Sequence, residues 1–208
     1  MGTRTATWCA TLVAAVAVSS MVVSCGTSNH ADRTGSLVWH PCGQIECTTL
    51  SVPLDWSHPS GGLVSLRLAR RPASGRRVAV LFTNPGGPGG SGVELVQQSA
   101  GAFDASVLDR FDIVSWDPRG VAASTPAACG THLDYFYAVD RTDTDAATAA
   151  ANVAVSKRLV GACEHASKGL LPYLSTSATV RDMDAIRAAM GVTTIDYLGF
   201  SYGTYIGA

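Results

Sequence analysis

The chain is 208 residues long, 47% apolar and only 15% charged, with a formal net charge of −1. That composition suits one globular domain, or part of a larger one, with a substantial core. It argues against nucleic-acid binding, which needs a clustered basic face; the one tight basic group, Arg70-Arg71 with Arg76-Arg77, flanks a turn and reads as a solvated hairpin face.

At the N-terminus, Arg4 precedes an uncharged apolar run from Trp8 to Val23, broken by Thr11, Ser19 and Ser20 and ending in Val22-Val23-Ser24-Cys25-Gly26. The run is short for a membrane span, and its end has the form of a bacterial lipoprotein cleavage box. Residues 1–24 are therefore expected to be a signal peptide and Cys25 the lipidated first residue of a membrane-anchored mature chain. A plain secretory signal with an incidental Cys25 is the alternative. Both readings export the rest of the chain to an oxidising compartment. Residues 25–38, polar from Asn29 to Ser36, are expected to be a tether, and 39–208 the domain. Cys9 belongs to the signal, which leaves Cys42, Cys47, Cys129 and Cys163 with three possible pairings. Cys42 and Cys47 flank four residues and could close a hairpin loop, with Cys129–Cys163 then bracketing a later segment. The chain has no C-x₂-C and no His at ligand spacing, so no metal is expected.

Cys47 to Leu54 and Leu63 to Ala69 alternate on either side of the turn Asp55–Gly62, which predicts an antiparallel strand pair. His58, before Pro59, is a turn residue. Arg77 to Thr83 is a continuous apolar run, the mark of a strand buried on both faces. It opens into Asn84-Pro-Gly-Gly-Pro-Gly-Gly-Ser-Gly92 and a helix from Val93 to about Ala100. Phe111 to Asp117 is a second buried strand, ending in Asp117-Pro-Arg-Gly120. Strand, helix and strand in this order predict a parallel sheet. Residues from about 129 to 175 break the alternation and are expected to be an insertion. An amphipathic helix over 176–190 follows, with Val180, Met183, Ile186 and Met190 inward and Gly191 as its stop. Ile195 to Leu198 is expected to be a short buried strand.

That strand leads into Gly199-Phe-Ser-Tyr-Gly203, a G-x-S-x-G pattern followed by a small-residue helix start. A strand turning sharply into a helix holds the central Ser in strained backbone angles, and glycines two residues to either side keep the bend clear. The expectation is a nucleophile elbow with Ser201 as nucleophile. Upstream, Gly87-Pro-Gly89-Gly-Ser-Gly92 also satisfies the dinucleotide-binding pattern G-x-G-x-x-G, with Asp117 at the end of the next strand. Pro85 and Pro88 remove amides from a loop that should cradle a pyrophosphate, and two strands already precede it. The loop is better suited to supplying an oxyanion-hole N–H, with the amide of Tyr202 as its partner.

Gly86-Gly-Pro-Gly89 resembles the glycine–proline loop of the prolyl-iminopeptidase branch of α/β-hydrolases. Together with Glu46–Asp55, Asn84–Gly92, Trp116–Gly120 and Gly199–Gly203, it resembles the secreted actinobacterial tripeptidyl aminopeptidases, over the N-terminal portion of such enzymes. The resemblance implies an α/β-hydrolase fold, here truncated after the elbow, with a mostly parallel sheet and an antiparallel N-terminal strand pair. It implies a cofactor-free serine exopeptidase that releases short peptides from free N-termini. Ser201 matches the nucleophile, and Gly87 and Tyr202 match the oxyanion donors. Arg119 reads as a brace for its turn, and Ala122 stands where the family pattern favours Gly. The triad's acid and base follow the nucleophile in this fold, yet the seven residues after Ser201 contain neither, and all five histidines precede it. A missing C-terminal half is one expectation, and the chain alone is expected to be inactive. An esterase or lipase of the same fold and a non-enzymatic truncated product are the alternatives.

Overall fold

The computed structural model describes residues 37–131, 133–142 and 144–208. The expected signal peptide, Cys25, most of the tether, His30 and His132 lie outside the described residues. Among those described, six strands form one mixed sheet in the order β1-β2-β3-β5-β4-β6. They are β1 (His40–Cys42), β2 (Ile45–Pro53), β3 (Leu63–Arg71), β4 (Ala79–Asn84), β5 (Phe111–Trp116) and β6 (Asp196–Gly199).

Connection length explains the pairing. Short turns join β1, β2 and β3, and such turns permit only antiparallel neighbours; Leu50 lies opposite Leu66 and Val52 opposite Val64. β3 meets β5 antiparallel as well. β4 runs parallel to β5 on one side and β6 on the other. The crossovers are helical: α1 (Gly92–Gln97), α2 (Ser99–Ala102) and α3 (Ala105–Arg110) between β4 and β5. Between β5 and β6 come α4 (Asp134–Tyr137), α5 (Ala146–Ala166), a 3₁₀ turn at Leu171–Tyr173 and α6 (Thr176–Ala189).

Period-two alternation sorts the strand side chains into two layers. Val80, Phe82, Val114 and Trp116 join Leu66, Leu68 and Ile186 of α6 in one cluster. Leu81, Ile113 and Ala69 join Val96 of α1 in the other. β4 and β5 are therefore covered on both faces, as their unbroken apolar runs imply. Each arginine of the basic cluster with an acidic neighbour uses it: Arg70 pairs with Glu46 and stacks 4.7 Å over the Trp39 ring, and Arg77 reaches Asp112 at 3.0 Å.

Two elements depart from the sequence expectation. On α6, Ile186 is buried and Met183 and Met190 pack against the core as expected, but Val180 is exposed, and Thr179, Asp182 and Ala189 complete the buried stripe. A buried charge, Asp182, sits among the apolar residues of that face. Asp182 takes a two-pronged bond from Arg119, Nε to Oδ2 at 2.7 Å and Nη2 to Oδ1 at 2.6 Å, and a third from Trp56 Nε1 at 3.0 Å. Burial pushes the Asp182 carboxyl above its ordinary pKa, and Arg119 and then Trp56 pull it back down. The second departure is β6, which spans Asp196–Gly199 and has β4 as its only strand neighbour among the described residues. Its alternate residues are exposed, Leu198 among them.

In the 129–175 region, α5 opens with a capping box between Asp145 and Thr148, and none of its residues is buried. That explains the loose pattern of its sequence. Disulfides join Cys42 to Cys47 and Cys129 to Cys163.

The turn after β5 is tightly tied. Asp117 accepts from Ser91 Oγ at 2.6 Å, from the Val93 amide and from the Ala123 amide, which locks the start of α1 to the turn. Asp117 is thus spent inside the fold rather than offered to a ribose. Within this turn Ala122 has φ 43°, a left-handed conformation that costs an L-residue about 1–2 kcal/mol. Ala122→Gly is expected to stabilise the domain by about 0.5–1 kcal/mol after glycine's greater chain entropy is subtracted, a rise of a few °C in Tm. Thermal unfolding followed by circular dichroism checks this; a fall in Tm contradicts it.

Candidate active site

β6 ends at Gly199, and α7 (Tyr202–Gly207) begins two residues after Phe200. Ser201 caps the helix with φ 51° and ψ −123°, a strained conformation for a non-glycine residue, and is itself exposed. Both flanking glycines are sterically required. A Cβ on Gly199 would come within 2.4 Å of the Gly203 carbonyl, and one on Gly203 within 2.5 Å of the Asn84 carbonyl oxygen. Tyr197 holds the bend from below, its hydroxyl donating to the Gly203 carbonyl at 2.7 Å. Burial pushes that phenol's pKa up to about 12.

The glycine-rich loop after β4 presses directly on this bend. Gly86 is in the left-handed region at φ 84°, and a Cβ there would lie 2.3 Å from the Phe200 oxygen and 2.9 Å from the Tyr202 nitrogen. The Gly87–Pro88 peptide bond is cis. Several amides around the contact are already used: Gly86 N–H donates to Asn84 Oδ1 at 2.8 Å, Gly203 N–H to Phe200 O at 2.7 Å and Gly90 N–H to Gly86 O at 3.0 Å. The amides of Gly87, Gly89, Ser201 and Tyr202 make no hydrogen bond among the described residues. Free N–H groups thus lie in both segments that meet at Ser201, those of Gly87 and Tyr202 among them.

A cavity of about 550 Å³ adjoins the bend, with Gly86, Pro88, Val121, Leu174, Tyr202 and Ile206 in its wall. The Tyr202 hydroxyl bonds Thr176 Oγ1 at 2.5 Å across it. Arg119 also lines the cavity, but all its N–H groups are engaged: two bonds go to Asp182 and the rest to the carbonyls of Pro53, Leu54 and Tyr173. It is a brace with no donor left for a ligand.

Among the described residues no histidine or carboxylate bonds the Ser201 side chain. His40 and His165 are exposed on β1 and α5. His58 lies in the β2–β3 turn, where Asp55 Oδ2 (2.8 Å) and Ser57 Oγ (3.1 Å) both contact the same ring nitrogen, Nδ1. This Asp-Ser-His group is no triad, because a base needs the serine on one nitrogen and the acid on the other. Its hydrogen bonds, from Ser57 first and then His58, draw the Asp55 pKa down to about 2.

The strand–bend–helix, the glycine turn against it and the two-faced sheet define an α/β-hydrolase. The model of the alpha/beta hydrolase fold family matches residues 79–208, and the chain belongs to that family. It is 37% identical over 212 residues to serine protease Hip1 of Mycobacterium tuberculosis, covering 94% of this chain and 41% of that protein. To the tripeptidyl aminopeptidase of Streptomyces coelicolor it is 36% identical over 177 residues (82% of this chain, 33% of the relative). To carboxylesterase B of Mycobacterium tuberculosis it is 41% identical over 150 residues (69% and 28%). The chain thus spans only about two fifths, or less, of the length of these curated relatives.

Ser201, Gly87 and Tyr202, expected from the sequence as nucleophile and oxyanion donors, lie in the two segments that meet at the bend, whereas Asp182 and Asn84 were not among the expected residues. A signal for Asn84 existed: Asn two residues before a glycine amide commonly closes an Asx turn, and Asn84 does so with Gly86.

Proposed function

We propose that this chain forms the nucleophile-bearing part of an exported serine peptidase that releases short peptides from free N-termini. The observation that carries the reading is Ser201 at φ 51°, exposed, with the glycine loop packed against the bend. Ser201 Oγ attacks the scissile carbonyl and gives its proton to a histidine, while the amides of Gly87 and Tyr202 receive the oxyanion. The proton passes to the departing amine, and water then releases the acyl group. In this reading the base and its orienting carboxylate come from polypeptide outside residues 1–208. Two disulfides and the Arg4–Cys25 segment support an extracytoplasmic site, with lipid on Cys25 as the anchor.

The identity to carboxylesterase B supports a second reading, ester hydrolysis at the same serine. The two part company on substrates presented to the full-length protein. A tripeptidyl anilide with a free amine is expected to be cleaved to tripeptide and aniline, and its N-acetylated form left intact. Hydrolysis confined to short-chain esters would favour the esterase.

A further inference from the structure

We propose that Asn84 is a positioning residue that sets the spacing between the two halves of the oxyanion hole. The inference rests on the assignment of the Gly87 and Tyr202 amides given above. Asn84 is the last residue of β4 and is 1% exposed. Its side chain holds the loop, Oδ1 accepting the Gly86 N–H at 2.8 Å. Its main chain holds the bend, the carbonyl accepting the Phe200 N–H at 3.0 Å. Gly203 is packed on the same residue, since a Cβ there would meet Asn84 O at 2.5 Å and Oδ1 at 3.1 Å. Gly87 follows directly on the clamped Gly86, and Tyr202 lies between Phe200 and Gly203, both seated on Asn84. One side chain and its own carbonyl therefore tie together the two segments that carry the free amides.

The residue type follows from the chemistry. Leu would fill similar space but leave the buried Gly86 N–H without an acceptor. Asp would supply the acceptor and add a negative charge beside the place where the oxyanion forms. Asn supplies the acceptor without the charge. Its Nδ2 is buried with no hydrogen-bond partner among the described residues; that unpaired donor accompanies turning Oδ1 toward the loop.

Asn84→Ala and Asn84→Asp test the assignment through amide exchange and turnover. In the ¹⁵N-labelled chain, exchange at the Gly86 amide is expected to rise about tenfold or more in Asn84→Ala and to stay near wild type in Asn84→Asp. In the full-length protein, Asn84→Ala is expected to lower kcat by about 10²-fold while KM changes little, the scale of a lost oxyanion donor. For Asn84→Asp the ratio of its kcat to that of wild type is expected to rise as pH falls and the new carboxyl takes up a proton. Unchanged Gly86 exchange in Asn84→Ala, or a loss carried by KM alone, overturns the proposal. Should Asn84→Ala fail to fold, a pH-independent ratio near one in Asn84→Asp overturns it instead. Full turnover in Ser201→Ala would sink the peptidase reading, whereas exchange at Gly86 would still decide whether Asn84 is the clamp.

Discussion

Asp182→Ala is expected to destabilise the domain by about 3–5 kcal/mol, the range for removing one partner of a buried ion pair. The side chains of Arg119 and Asp182 are 1% and 0% exposed. Without the carboxylate the guanidinium stays buried, still bonded to the Pro53, Leu54 and Tyr173 carbonyls but with no counter-charge. In a domain of this size the loss corresponds to a Tm lower by about 6–20 °C. The reciprocal variant, Arg119→Leu, differs in its pH dependence. Burial already raises the Asp182 pKa, and removing Arg119 takes away the main opposing pull. A carboxyl whose folded-state pKa lies above its unfolded value contributes stability at low pH and loses it as pH rises through the folded value. Arg119→Leu is therefore expected to be closer to wild type near pH 4 than near pH 8, with Asp182→Ala lacking that trend. Denaturant unfolding at several pH values measures both; a loss under 1 kcal/mol in Asp182→Ala would mean the pair is not a brace.

Ser201→Ala carries the largest expected effect on activity. On the reading proposed above, kcat in a protein that also supplies the base should fall by about 10⁶-fold, the scale seen when a serine peptidase loses its nucleophile. Stability should barely change, because among the described residues only the Ser201 main chain is bonded, its carbonyl accepting from the Thr204 amide and hydroxyl. A comparable fall in Tm would point to a structural serine.

What the sequence made legible was whatever backbone strain or burial writes into residue type. Gly199 and Gly203 could be read because no side chain fits at either place, and β4 and β5 because strands covered on both faces are apolar throughout. Arg119 was legible as a brace, but its partner was not. Asp182 lies 63 residues away on α6, and hydrophobic periodicity, which marked Met183, Ile186 and Met190 on that face, does not register a charge buried by its counter-ion. β6 was read as buried from its composition alone, whereas burial depends on its neighbours, and among the described residues β4 is the one strand beside it. Asn84 offered a local signal, its Asx turn with Gly86, but its contact with the bend is made to a segment more than a hundred residues later.

On the reading proposed above, Ser201 is the nucleophile and the Gly87 and Tyr202 amides are its oxyanion donors, with a base that no described residue supplies. Fluorophosphonate labelling, with the adduct mapped by peptide mass spectrometry, tests it most directly. Residues 1–208 alone should remain unlabelled, while the same residues joined to the C-terminal part of the Streptomyces coelicolor relative should be labelled at Ser201 and lose the label in Ser201→Ala. A robust adduct on Ser201 in the chain alone, or an adduct on any other residue of the joined protein, would contradict the claim.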